Sequence, residues 1–265
     1  LANFIKLVQN ENMKIYRRVR TWIMFGFIIG LPLLISLGVL LANGSKSESS
    51  WGMMYNESII SFIFITIFTV VVASESVAGE FTWGTIKLLL IRPWSRSAIL
   101  LSKYIATLLF ALAAIVVTFF ISWLINMAIF KGSDGGSFFA SLSGMSDMEY
   151  ILKYYLFETI SLILIVTFGF MMSSAFRSSG LAIGLSISLL FAGTIITGLF
   201  SMSDKKWVEY VLFMHLDLTS YITKAEGPFH NHPMSLGFSL AVLAVYFILF
   251  NLISWLVFAK RDIAA

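Results

Sequence analysis

The hydrophobic and polar positions of this chain fall into long unbroken blocks. Stretches free of Asp, Glu, Lys and Arg run over 21–45, 58–74, 104–130, 159–176, 178–203 and 227–259. A helix crossing the hydrocarbon of a bilayer needs about 17–25 mostly apolar residues, so each block is long enough for one crossing. Trimming the polar ends predicts six spans near 21–41, 58–76, 103–130, 151–175, 179–200 and 235–259. The fourth starts ahead of Glu158, because Ile151, Leu152, Tyr154 and Leu156 extend its apolar run. A transmembrane barrel would show alternating segments of about ten residues, and these blocks are continuous. The predicted fold class is an all-α polytopic membrane protein, one transmembrane domain over 1–265.

Composition removes the competing classes. Of the 265 residues 58% are hydrophobic and 12% charged, about half the charge of a soluble domain. Intrinsic disorder, a secreted disulfide scaffold and a cytosolic enzyme do not fit such a chain. With no cysteine there is no disulfide, no thiolate metal site and no thiol nucleophile. The distribution of charge is more informative than its total. Placing both termini, the 77–103 connection and the 176–180 turn on one side gathers twelve of the 18 Lys and Arg there, with only four of the 14 acids. The positive-inside bias makes that side cytoplasmic and leaves 201–234 as an extracellular segment before the last span. Residues 1–20 are too charged for a cleavable signal. Leu1, Phe4, Ile5, Val8, Ile15, Tyr16 and Val19 fall roughly on one helical stripe. That pattern predicts an N-terminal amphipathic helix lying in the interface, with a solvated basic tail as the alternative.

Catalytic signatures are missing: no G-x-x-x-x-G-K-[ST], H-E-x-x-H or G-x-S-x-G occurs. His215, His230 and His232 cluster with Asp217 in the outer segment, but two His at i, i+2 between Gly and Pro read as water-facing and supply no full metal-ligand set. Glu75 ends the second span and Glu158 lies two turns into the fourth; spans one, three, five and six hold no acid. Intramembrane acids are functional candidates, yet both lie near enough to a surface for structural or electrostatic roles. Gly26 and Gly30 in span one, and Gly180, Gly184, Ser188 and Ala192 in span five, recur every fourth residue. Such spacing suits close helix packing, within the chain or at a dimer seam.

The most distinctive stretch is 75–104. Trp83, Ile86 and Leu90 share one helical face at i, i+3, i+7, and Glu80, Gly84 and Lys87 the neighbouring one. Pro93 stops that helix, and Ser95 is placed to cap the next. From the residues alone this is either a handle for a soluble partner or an interfacial anchor. The order Glu80, Gly84-Thr85, Leu88 to Leu90, Pro93, Ser95-Arg96 and Lys103 resembles the permease subunits of type two ABC exporters, of the small bacterial peptide-export or bacteriocin-immunity kind. The layout of six spans with cytoplasmic ends is similar to the same family.

The resemblance implies that 79–98 is a coupling segment seated on a separate ABC ATP-binding subunit, through Glu80, Trp83, Gly84, Thr85, Lys87, Arg92 and Arg96. It implies a pair of permease chains, identical or different, surrounded by membrane lipids and with no nucleic acid partner. The chain itself then binds no cofactor and is no enzyme, since ATP and Mg belong to the partner. Spans two and five line the path in that family, which nominates Phe62, Thr66, Thr69, Phe191, Thr194 and Ile195. Small members of the family imply a hydrophobic or amphipathic cargo, foremost an antimicrobial or toxin peptide, with sodium, drugs and lipids as alternatives. A secondary transporter or channel using no ATPase is the competing class, and a membrane-embedded enzyme a third.

Overall fold

A computed structural model describes residues 2–43, 49–86, 94–130, 138–223, 227, 229 and 231–260. The described elements are α1 (Ala2–Tyr16), α2 (Val19–Asn43), α3 (Ser50–Ser76), α4 (Ala78–Thr82), α5 (Arg96–Ile129), α6 (Ala140–Ser143), α7 (Asp147–Ala175), α8 (Ser179–Phe200) and α9 (Leu236–Lys260), with three short 3-10 turns at Lys206–Tyr210, Leu212–His215 and Thr219–Ile222. No strand occurs among the described residues. Helices α2, α3, α5, α7, α8 and α9 are each long and apolar enough to cross a membrane, so the chain is an all-helical polytopic membrane protein.

Several helices begin before the apolar blocks do. Helix α3 starts at Ser50, α5 at Arg96 and α7 at Asp147, ahead of the expected 58, 103 and 151. A charged residue ends a hydropathy run but not a helix. Local caps set two of these starts: the Ser95 hydroxyl accepts from Ala98 N–H at α5 and Ser146 from Glu149 at α7, and Ser178 accepts from Leu181 in the same way at α8. Asp147 and Glu149 in the first turn of α7 suit the positive end of its dipole.

Helices α3 and α7 form the centre of the bundle. Helix α3 packs on α7, α5, α8 and α2, and α7 on α9. At Gly169 the two central helices approach closely: a Cβ there would stand 3.1 Å from Ser74 Oγ and 3.5 Å from Ala73 Cβ. Farther along, Phe62, Tyr154 and Tyr155 meet edge to face, and the Phe139 and Tyr150 rings stack at 3.9 Å.

The outer helices bury little. Helix α2 turns Thr21, Phe25, Ile28, Pro32 and Ser36 inward, and α8 buries only Ala182, Ser186 and Gly193. This corrects half of the reading of the small-residue pairs. A Cβ added at Gly26, Gly30 or Gly184 would meet nothing within 4 Å, and Ser188 is exposed. Among the described residues no helix packs against them, because both stripes lie on the outward faces. The α1 stripe also needs correction: Ile5 and Val19 are exposed, whereas Leu7 and Glu11 are buried against the bundle.

Replacing Gly169 by Leu should force α3 and α7 apart and destabilise the protein by about 1–3 kcal/mol. Gly184→Leu, by contrast, should leave the melting temperature of the single chain unchanged. Thermal unfolding of the purified variants in detergent checks both.

Candidate functional site

The site is built around a lysine that apolar surroundings would not tolerate alone. Lys103, two turns into α5, is 4% exposed. Its ammonium lies 2.8 Å from Glu80 Oε1 on α4 and 2.8 Å from Glu11 Oε2 on α1. Lys14 completes a square, 2.8 Å from Glu11 Oε1 and 2.9 Å from Glu80 Oε1. Burial pushes the Glu80 carboxyl up, but Lys103, the Thr85 hydroxyl and Lys14 outweigh it and hold the group at about 2. Burial likewise opposes the charge on Lys14, and Glu11 and Glu80 raise it in spite of that. Four charges on three helices therefore fix α1, α4 and α5 to one another.

The corner between α3 and α4 is held from the other side as well. The chain breaks at Val77, and the freed N–H groups of Val77 and Ala78 both donate to Ser173 Oγ on α7, at 2.9 Å each. Thr82 accepts from the Ser179 N–H at the start of α8. Just behind, Glu75 pairs with Arg18 at 2.7 Å and with Arg20, tying α3 to the α1–α2 junction. Arg96 donates to the Ala259 carbonyl at 2.9 Å, which joins the start of α5 to the end of α9. Between these elements lies a cavity of about 830 Å³ whose wall mixes Arg18, Arg20, Glu75, Glu80 and Lys103 with Ile15, Val19 and Val72.

The expected coupling residues divide on this geometry. Trp83 is 73% exposed, and Gly84 beside it is exposed with a φ of +69°, a left-handed turn that a side chain would strain. Glu80 and Thr85 face inward and hydrogen-bond each other. Arg96 is exposed but bonded along the end of α9. Lys87 and Arg92 lie outside the described residues. The face predicted to hold Trp83 with Ile86 does not exist, since Ile86 is 6% exposed and packs with Val77, Leu100 and Phe170. The reason is Gly84: its turn ends the helical periodicity on which that reading relied.

Residues 21–264 match the model of a family described as a protein of unknown function, DUF2705. The chain belongs to this family. It is 35% identical to "Uncharacterized protein YhcI" of Bacillus subtilis (strain 168), over 98% of this chain and 99% of the relative. It is 26% identical to "Uncharacterized membrane protein YdbK" of the same organism, over 95% and 99%. The second relative's name agrees with the six apolar helices found here: this DUF2705 member is a membrane protein.

The residues nominated for a path are not brought together. Phe62 and Thr69 are buried inside the α3–α7 packing, and Thr66 is half-buried. Phe191, Thr194 and Ile195 sit on the exposed face of α8. Thr194 borders a separate, mostly apolar groove of about 380 Å³ between α7, α8 and the turn at Phe213. The histidines also depart from expectation. His232 is buried, not water-facing, while its neighbour His230 lies outside the described residues; His215 is buried as well. Burial lowers the pKa of His215, whose ring bonds the Glu209 carbonyl and Ser239. The Ser203 carbonyl and the Glu209 carboxylate raise that of His232. Among the described residues no three His, Asp or Glu side chains converge as a metal site requires.

Sequence reasoning missed Glu11 as a partner of Lys103 and Lys14 as a partner of Glu80, and Glu57 altogether. The first two were visible only as charges on an amphipathic stripe. Glu57 stands immediately before the 58–74 run, since a charge-free run begins only after the charge.

The square makes two expectations. Lys103→Met leaves Glu11 and Glu80 facing each other with one cation, nearly buried, and should cost about 3 kcal/mol. Glu80, with its folded pKa depressed, adds stability that is complete above about 4.5 and lost as pH falls toward about 2. Melting curves between pH 7 and pH 3 should therefore drop for the wild type below pH 4.5. Glu80→Gln should melt lower at neutral pH and respond less to acid.

Proposed function

We propose that this chain is the membrane-spanning permease subunit of an ATP-driven exporter of the type two ABC class, working as a pair of permease chains with a separate ATP-binding subunit. The observation that carries the reading is the corner at α4. A surface aromatic and a left-handed glycine stand out from an element that is bonded to α1 and α5 by charge, to α7 by Ser173 and to α8 by Thr82. A force applied at Trp83 reaches four helices through short polar contacts, which is what a coupling element requires. In this reading the corner and both termini face the cytoplasm, where 12 of the 18 basic residues gather.

ATP and Mg act on the partner subunit, and this chain supplies the lever. The outward small-residue stripes of α2 and α8 are available for the second permease chain. The cargo is hydrophobic or amphipathic, foremost a peptide. The cavity beside the corner supports this, since its wall offers aliphatic and charged groups together. One observation favours the ion-driven alternative: a fully buried Glu57 inside a spanning helix.

The test is co-expression with ATP-binding subunits from the same genome, followed by co-purification and ATPase assay. Trp83→Ala should weaken association about tenfold or more, the loss expected when an exposed aromatic anchor of about 1.4 kcal/mol or more is removed. Met202→Ala, exposed at the opposite end, should leave association unchanged. Failure to associate with any such subunit, or a Trp83→Ala variant that couples normally, overturns the reading.

A further inference from the structure

At the end of the bundle away from the corner, three spanning helices meet on one carboxyl group. Glu57 lies two turns into α3, separated from Glu75 by about 27 Å of helix at 1.5 Å per residue, and is fully buried. Ser36 Oγ of α2 is 2.5 Å from Glu57 Oε1 and 3.1 Å from Asn126 Oδ1 of α5. Asn126 Nδ2 is 2.6 Å from Glu57 Oε2 and 2.9 Å from the Ser122 carbonyl oxygen. Both neighbours of that nitrogen are acceptors, so the amide orientation is fixed and Oδ1 faces Ser36.

Counting hydrogens over these three contacts then favours one state of the ring. Asn126 covers the contact to Oε2. The two remaining contacts each join a pair of oxygens, and Ser36 owns a single hydrogen. With an ionised carboxylate one of these contacts has no hydrogen in it. With a proton on Oε1 the ring closes: Glu57 donates to Ser36, Ser36 to Asn126 Oδ1, and Asn126 back to Oε2. A metal ion is a poorer occupant, because oxygens sharing one at about 2 Å or more stand farther apart than this pair does. We propose that Ser36, Glu57 and Asn126 form a proton-binding site that pins the end of α2 to α3 and α5.

The surroundings agree. Among the described residues no cation pairs with Glu57. Helix α2 between Thr21 and Asn43, and α5 between Tyr104 and Ile129, contain no Asp, Glu, Lys, Arg or His. From α7 the nearby groups are Tyr155, whose hydroxyl is 2.8 Å from Ser58 Oγ, Lys153, which is paired with Glu149, and Glu158, which stands beside Tyr154 and Asp217. An unpaired buried carboxylate is costly, and the proton removes that charge. Ser36 is the last inward position of a sparsely packed helix, so losing the proton releases that end of α2. The site does not depend on the exporter reading.

Infrared spectroscopy of the full chain in lipid nanodiscs at neutral pH tests this, with thermal melts alongside. The wild type minus Glu57→Gln difference spectrum should contain a protonated-carboxyl stretch that shifts in D2O. Glu57→Gln should keep the wild-type melting temperature, because an amide donates to Ser36 and accepts from Asn126 as the neutral acid does. Glu57→Ala should melt about 5 °C lower, and raising the pH should lower the wild type relative to Glu57→Gln. No such band, a Glu57→Gln loss equal to that of Glu57→Ala, or stabilisation of the wild type by sodium that Glu57→Gln abolishes would each overturn the proposal, the last by making a cation the occupant.

Discussion

The constraint on which the rest of the structure depends is the burial of Lys103. An ammonium nearly out of water must find carboxylates, and the two it finds come from α1 and α4. Without them α5 would have to begin later or expose that face. With them, a short N-terminal helix and a five-residue turn of helix become part of the bundle. The corner is therefore specified by electrostatics, where an aliphatic contact would have left its angle free to vary.

The two ends of the bundle use different polar chemistry. At the corner end the charges come in pairs, with Lys14, Lys103, Arg18 and Arg20 matched to Glu11, Glu80 and Glu75. At the far end Glu57 is served by a serine and an asparagine. Paired charges tolerate nearby water and suit a surface that a soluble partner approaches. Neutral hydrogen bonds suit a region where lipid and protein exclude water. Between them the α3–α7 contact relies on close approach at Gly169 and on aromatic packing.

The bundle is also unevenly packed. Helices α3 and α7 are enclosed, while α2, α8 and α9 present most of their surface outward. Lipid satisfies such faces without any specific contact. The recurrence of Gly and Ser on the outward sides of α2 and α8 adds a geometry that another helix, more than a lipid chain, would use. In the exporter reading proposed above, that outward face is the one left for the second permease chain, identical or different.

The number of spanning helices was legible in the sequence, because twenty apolar residues in a row admit few other solutions. So was the Ser95 cap, where local chemistry decides the backbone; the break at Gly84 was not, since the amphipathic pattern runs through it to Pro93. The tertiary structure alone decided what the charges do. Glu80 reads as a surface residue of an amphipathic helix, and only the approach of α5 and α1 makes it the inward hinge of the corner. Glu57 precedes the apolar run of its span by one residue, and only the longer α3 places it inside. Phe62 and Phe191 look equivalent along their helices, yet one is in the core and the other faces out. Apolar runs record transfer into a membrane, a property of each segment by itself. Which polar groups meet is a property of pairs distant in sequence, and that information appears only once the helices have packed.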